Sequence, residues 1–278
     1  MLRKLIRIPT DVELPLIGLI QIGLIDRGTN LIQVRPISGC NLNCIFCSVD
    51  EGPNSRTRVT NYFITDLDYL LDWFKWIVKL KGARQIEAHI DGAGEPLLHP
   101  AIIELVHMLS DVPGVEVVSM QTNGLTLDGK LITELSEAGL SRINISLHTL
   151  DEEKAKMLVG WQGYRLKKVI DALHEVVNTR TELLVAPVWV PGMNDADVVK
   201  IIEFVKGLVK KEQKWPILGI QKYEAHKLGR RPVGIKEMRW YKFYQTLRAW
   251  EKKFKVKLVL SKQDFGIHKR TMARHAFK

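Results

Sequence analysis

Short runs of aliphatic and β-branched residues alternate along the chain with longer stretches whose apolar positions recur every three or four residues. Runs of the first kind read as strands buried on both faces, and the stretches between them as amphipathic helices packed over those strands. Strands are predicted at 31–34, 86–90, 115–120, 142–147, 183–188 and 217–222, with a further one at 256–260. Helices are predicted at 67–81, 101–111, 128–138, 165–178, 195–211 and 240–253. Asp195 stands where a helix N-cap belongs, and Gly139 where a helix stops.

Six βα units in succession with no long linker imply an α/β fold, a partial (β/α)6 TIM-type barrel. Six units rather than eight leave a broad lateral mouth, and such barrels carry their chemistry at the C-terminal ends of the strands. The expected domains are an N-terminal arm over 1–30, the barrel over 31–224, and a basic extension over 225–278 that closes or flanks it. The stretch from Leu14 to Ile25 is apolar, but Pro15, Gly18 and Gly23 interrupt it and Asp11 and Glu13 precede it. It reads as a strand or packed arm rather than a secretion signal. With 278 residues and 46% apolar side chains the chain can bury one large core, and no run approaches the ~20 apolar residues of a bilayer span. A soluble, cytoplasmic protein with no membrane partner is expected.

Charge divides the chain unevenly. From Lys222 onward 17 Lys or Arg face only Glu224, Glu237, Glu251 and Asp264, a local +13, whereas the first 221 residues carry −3. Such a local field points to a polyanionic partner or to a strongly solvated face.

All three cysteines fall within eight positions, at Cys40, Cys44 and Cys47. An odd, clustered set is not a disulfide framework; it reads as a metal site. A Cys3His zinc site is one alternative, although structural zinc sites usually bring their ligands as two separated pairs. A redox pair of Cys44 and Cys47 is another, and it leaves Cys40 unexplained. A 4Fe–4S cluster takes four thiolates, so three on one loop leave one iron without a protein ligand. That iron can bind a small molecule through an amine and a carboxylate, and the cluster can deliver one electron to it.

The C-x3-C-x2-C run, with Phe46 before its third cysteine and the first predicted barrel strand just upstream, resembles the defining motif of the radical S-adenosylmethionine superfamily. The family's aromatic at that position lies near the adenine; the competing reading of Phe46 is a core aromatic. After the second strand, Asp91-Gly-Ala-Gly-Glu-Pro96 resembles the family's Gly-Gly-Glu-Pro element, with Gly94, Glu95 and Pro96 matching position for position and Gly92 nearby. The third strand ends in Gln121-Thr-Asn-Gly124, which resembles the family's Thr-Asn-Gly segment, and Asn123 is either a ligand or a turn residue. The fourth gives Asn144-Ile-Ser-Leu-His148, where Ser146 by resemblance contacts the ribose or carboxylate and His148 replaces a frequent acidic residue and faces the substrate. Asn194, after the fifth strand, is either a helix cap or a ligand. Gln221 and Tyr223 are the substrate-side candidates at the end of the sixth.

The resemblance covers roughly residues 31–224 and implies bound S-adenosylmethionine, whose cleavage by a reduced cluster yields a 5′-deoxyadenosyl radical that abstracts hydrogen from a C–H bond. It also implies an electron donor such as a ferredoxin or flavodoxin. Three cysteines exclude a second cysteine-ligated cluster, as in methylthiotransferases or molybdopterin-precursor cyclases, and the methyl-cysteine mechanism of adenosine methylases. The substrate expected first is RNA, in particular tRNA, from the basic, aromatic C-terminal run Arg239-Trp-Tyr-Lys-Phe-Tyr244 with Arg230, Arg231, Lys269 and Arg270. Trp240, Phe243 and Leu247 also fall at helical spacing, which favours core packing for those three. A loose likeness to archaeal radical enzymes that carry an RNA-binding barrel beyond this point agrees. The alternatives are a peptide- or protein-modifying radical enzyme, and an iron–sulfur scaffold or electron carrier.

Overall fold

The structure, a computed structural model, describes residues 4–9 and 13–272. Its elements begin with β1 (Lys4–Ile8), β2 (Gly23–Asp26), β3 (Leu31–Arg35), β4 (Thr60–Ile64), α1 (Leu67–Leu80), β5 (Ile86–Ile90), α2 (Ile102–Ser110) and β6 (Val115–Thr122). They continue with α3 (Gly129–Glu137), β7 (Arg142–Ile145), α4 (Glu152–Val159), α5 (Leu166–Val177), β8 (Glu182–Val185), β9 (Val188–Trp189), α6 (Asp195–Val205), β10 (Gln221–Lys222) and α7 (Trp240–Phe254).

The main sheet has the order β2-β3-β5-β6-β7-β8, parallel throughout except for β2, which pairs antiparallel with β3 at the edge. The arc continues beyond β8. Leu218 bridges Val185, and β10 runs parallel to β9. The single strand expected at 183–188 is split because Pro187 has no N–H to give to a ladder; Ala186 and Val188 find partners on either side of it. The apolar stripes of the helices cover the outside of the arc, as on α5, where Leu166, Val169, Leu173 and Val176 are buried.

Several expectations are corrected. Residues 256–260 form no strand: Leu258 and Val259 donate their N–H groups to the Glu251 carboxylate, at 2.7 and 2.8 Å, instead of to a neighbouring strand. Asn194, not Asp195, is the N-cap residue of α6; the Asp195 carboxylate accepts from Trp189 Nε1 and Gly192 N. The helix expected to reach 211 ends at Val205 and passes into a 3-10 turn. Gly139 follows Ala138, the C-cap residue of α3, with φ +105°, as a helix stop requires. Two features were not legible: α4, and the parallel pair of β1 with β4 beside the barrel.

The N-terminal ends of the strands are closed by the C-terminal segment. Gly266 O accepts from Asn30 Nδ2, His268 exchanges hydrogen bonds with Asn30, and Arg270 O accepts from Lys81 Nζ. Residues 273–278 of the expected extension, and 1–3 and 10–12 of the expected arm, lie outside the described residues. Above this closure the lumen is polar. Glu87 accepts from Ser119 Oγ at 2.6 Å and from Arg142 Nη2 at 2.5 Å, and the Arg142 guanidinium lies between the rings of Trp215 and Phe265 at 5.0 and 5.1 Å. Both charges are almost wholly buried, so removing one leaves the other uncompensated. Glu87→Ala is therefore expected to cost about 3–5 kcal/mol, read as a lowered urea midpoint; an unchanged midpoint would contradict the assignment.

Among the described residues, no helix is long and apolar enough to cross a membrane.

Candidate functional site

The cysteines lie on the loop that leaves β3, and three neighbours fix its backbone. On one side Gly39 N donates to Ala93 O and Glu95 N donates to Gly39 O, which lays the loop against the segment after β5. The approach is so close that a Cβ on Gly94 would stand 1.9 Å from Gly39 O, so only glycine serves there. On a second side Asn43 N and Ile45 N donate to the carbonyls of Val159 and Leu158 at the end of α4. On a third, Arg230 donates from its backbone N to Cys47 O at 2.7 Å, and from its guanidinium to Cys44 O, Glu51 O and the Asp50 carboxylate. Burial works against the charged Asp50, but hydrogen bonds from Thr57 and Arg56 and the Arg230 charge hold its carboxyl below the usual range.

Cys40, Cys44 and Cys47 face a cavity of about 550 Å³ at the C-terminal ends of the strands. Phe46, Gly94, Glu95, Asn123, Ser146, His148, Gln221 and Tyr223 line the same cavity. Of the candidate residues, Gly92 and Asn194 are off its wall; Gly92 sits two residues before Gly94, close against its backbone. The pattern of motifs at strand ends therefore converges on one place.

The partners of these side chains divide them into two groups. Glu95 is spent inside the protein: its carboxylate accepts from Thr122 Oγ1, Asn123 N and Leu97 N, tying the β5 loop to the end of β6. Burial pushes this carboxyl up to about 7, against the pull of those hydrogen bonds. Asn123 braces the cysteine loop through Nδ2, 2.8 Å from Asn41 Oδ1 and 3.8 Å from Cys40 Sγ. Asn194 is structural, bonded to His148 O, Val188 O and Val190 N. Ser146 Oγ accepts from Gln121 on the cavity wall, Phe46 packs edge-on to His148 at 4.7 Å, and Gln221 is exposed at the mouth. Tyr223 is buried, and among the described residues its hydroxyl has no hydrogen-bond partner.

Burial disfavours the thiolate form of two of the three cysteines. Burial, then the Glu95 charge, pushes Cys40 up to about 12, and burial together with the neighbouring cysteines raises Cys44 as well. Binding a metal group here must displace protons, so its uptake becomes more favourable as pH rises.

Val188 N donates to His148 Nδ1 at 3.0 Å, which places the ring proton on Nε2. Burial lowers this imidazole to about 4 from 6.5. The folded protein thus binds fewer protons than the unfolded chain between those values, so stability is complete above pH 6.5 and is lost as pH falls toward 4. The loss amounts to roughly 3 kcal/mol across that window. His148→Gln is expected to move the acid-unfolding midpoint to lower pH; a midpoint that stays or rises would refute the neutral buried imidazole.

Among the residues that the sequence reading did not place at this cavity are Lys222, Trp240 and Tyr244. Alternation along a strand that faces Gln221 and Tyr223 to the mouth would turn Lys222 away from it, but β10 is only two residues long and the lysine lines the cavity too. Its amine is buried, bonded to Tyr223 O and Glu237 and 4.8 Å from the centre of the Trp240 ring. Trp240 is 49% exposed, unlike Phe243 and Leu247, which pack into the core as their spacing suggests. It stacks on Tyr244 at 5.6 Å with the planes 22° apart, and both rings border the cavity. The signal was present as an i, i+4 aromatic pair on a face that carries cations. Of the basic residues taken as phosphate contacts, Arg230 is committed to the cysteine loop and Arg270 to the barrel floor through Arg84 O and Gly28 O.

Comparison with known proteins adds to this geometry. The model of the radical SAM superfamily matches residues 34–205. The uncharacterized protein MJ0103 of Methanocaldococcus jannaschii is 46% identical over 282 residues, covering 95% of this chain and 65% of that protein. The GTP 3′,8-cyclase of Listeria monocytogenes is 31% identical over 181 residues, covering 65% of this chain and 51% of the cyclase. The chain thus spans less than two thirds of the length of these curated relatives. Streptococcus suis SuiB bound to S-adenosylmethionine shares the fold, with a TM-score of 0.59 at 16% identity over 89% of this chain and 51% of SuiB. A family match over more than half of the chain makes it a member of the radical SAM superfamily, and the family implies a 4Fe–4S cluster and S-adenosylmethionine as cofactors.

Proposed function

We propose that Cys40, Cys44 and Cys47 hold the cluster, that Phe46, Gly94, Asn123 and Ser146 form the S-adenosylmethionine wall, and that the substrate is a nucleobase presented by an RNA, in particular tRNA. The donor set fits the cluster: three thiols face one cavity, and the sequence has no fourth cysteine to complete it. A cluster held by these thiols would supply single-electron reduction to the bound cofactor, the chemistry from which hydrogen abstraction would follow. The residues of the chain bind, orient and exclude water. Asn123 and Arg230 hold the thiol-bearing loop in place, Phe46 and His148 form an apolar edge, and His148 presents a neutral N–H. Gln221 and Tyr223 stand on the substrate side of the same cavity.

The observation that carries the substrate proposal is the stacked Trp240–Tyr244 pair at the cavity wall, on a helix that also exposes Tyr241 and Lys242 and is preceded by the exposed Arg239. Aromatic faces stack on unpaired bases, and cations hold the adjoining phosphates. A relative named for chemistry on GTP supports a nucleotide as the substrate. Anaerobic reconstitution followed by a 5′-deoxyadenosine assay with fractionated RNA, peptides and metabolites tests this. Release stimulated by a tRNA fraction, and lost in Trp240→Ala, is expected. Stimulation by peptides alone would replace RNA with a polypeptide substrate, and a reduced cluster that releases none under any condition would leave only an electron carrier.

A further inference from the structure

Behind the cysteine loop, on the face away from the catalytic cavity, lies a second surface depression of about 800 Å³. The loop is the partition between the two. Leu42, Cys44 and Phe46 border the cavity, while the intervening Asn43 and Ile45 border the depression, so a single stretch of chain, turned at Ile45 and Phe46, separates the two there. The outer side is built by the segment after β10. Gly229 packs so closely that a Cβ there would stand 2.8 Å from Ser48 O, and Arg230 is hydrogen-bonded to the carbonyls of Cys47 and Cys44. The surface itself has an apolar centre, with Leu228 51% and Val233 100% exposed beside the half-buried Met193 and Ile235. Arg56, Lys227 and Arg231 are exposed around it. Among the described lining residues the one carboxylate, Asp50, is buried and neutralised by Arg230.

We infer that this depression docks an acidic one-electron carrier protein, which reduces the cluster through the thin partition. The inference rests on the cluster reading above. Electron transfer between proteins falls steeply with distance, so a carrier works only where little polypeptide separates its redox group from the acceptor, and this is such a place. An apolar centre within a cationic rim fits an acidic partner of the small, transient kind, with the charges guiding encounter. RNA fits less well: no aromatic side chain lines the depression to stack on a base, and its centre is aliphatic.

The test uses the reconstituted protein with a reduced flavodoxin, an acidic flavoprotein, as the probe and dithionite as a reductant that needs no docking. Cluster bleaching is followed by stopped flow, and flavodoxin affinity is measured separately by flavin fluorescence. In Lys227→Glu with Arg56→Glu, and in Val233→Asp, both the flavodoxin-driven rate and the affinity are expected to fall about tenfold or more at low salt. Raising the salt should erase most of the wild-type advantage over the charge-reversal variant, and the dithionite rate should not change. Unaltered flavodoxin rate and affinity in these variants overturns the docking site, as does loss of tRNA binding in them with flavodoxin binding intact. If dithionite bleaches no cluster in the wild type, it is the cluster reading that fails, and this inference with it.

Discussion

Alanine at any one of Cys40, Cys44 or Cys47 is expected to give a folded, colourless protein that retains no 4Fe–4S cluster and releases no 5′-deoxyadenosine. The expectation follows from the number of donors. Three thiols face the cavity and the sequence holds no further cysteine, so a variant keeps only two side-chain ligands for a group that takes four. The protein should still fold, because the loop is fixed by backbone bonds to Ala93, Val159 and Leu158 and by Arg230, none of which requires a thiol. Iron and sulfide analysis, visible absorbance and circular dichroism on the same samples separate the two effects. Full iron content in any single variant would show that the thiol in question is not a ligand.

Arg230→Ala is expected to lose both stability and hold on the cluster, although Arg230 touches no substrate. Its guanidinium meets Asp50 Oδ1 at 2.7 Å, Glu51 O at 2.7 Å and Cys44 O at 3.2 Å, so one side chain joins the C-terminal segment to the cysteine loop at three points. Truncation leaves the 4%-exposed Asp50 without its counter-charge. Breaking such a pair costs 3–5 kcal/mol when fully buried; with Arg230 partly open to solvent, about 3 kcal/mol is expected. Residues that orient metal ligands from behind change metal affinity by roughly 10–100-fold, so loss of iron to a chelator should accelerate by a similar factor. Arg230→Lys should not restore it, because a single ammonium cannot span three acceptors held in a guanidinium's plane. Unaltered iron retention in Arg230→Ala would show that the brace does not govern the cluster site.

The elements legible in the sequence were those with a strong period. The apolar stripes of α1, α2, α3 and α5 and the short runs rich in aliphatic residues of β3, β5 and β6 appear where their patterns place them. What escaped was set by tertiary partners. α4 is short, and of its eight residues only Ala155, Leu158 and Val159 are buried, so its stripe is weak. β1 has one fully buried residue, Ile8, and exists as a strand because β4 lies beside it. Residues 256–260 have a strand's composition, but Glu251 captures their amides first.

The site divides in the same way. The spacing of the cysteines and the glycine and asparagine turns after successive strands marked one end of the barrel, because strand ends converge there by topology. Partners across long sequence separations were invisible. Arg230 reads as a free cation in a basic loop, and only the fold shows it 180 positions away in sequence from Asp50 and bonded to it. Glu95 reads as a ligand-facing carboxylate, whereas its oxygens are taken by Thr122, Asn123 and Leu97. Lys222 reads as an outward strand residue, yet its amine is buried against Trp240 and Glu237.

The central claim is that the polypeptide supplies three ligands to the cluster and leaves one iron for the amino-acid end of S-adenosylmethionine. Mössbauer spectroscopy of protein reconstituted with iron-57 under anaerobic conditions, with and without S-adenosylmethionine, addresses it directly. The account predicts a 4Fe–4S spectrum in which a single iron changes its isomer shift when S-adenosylmethionine is added. A spectrum indifferent to S-adenosylmethionine, or a protein that takes up zinc and no iron under the same conditions, would contradict it.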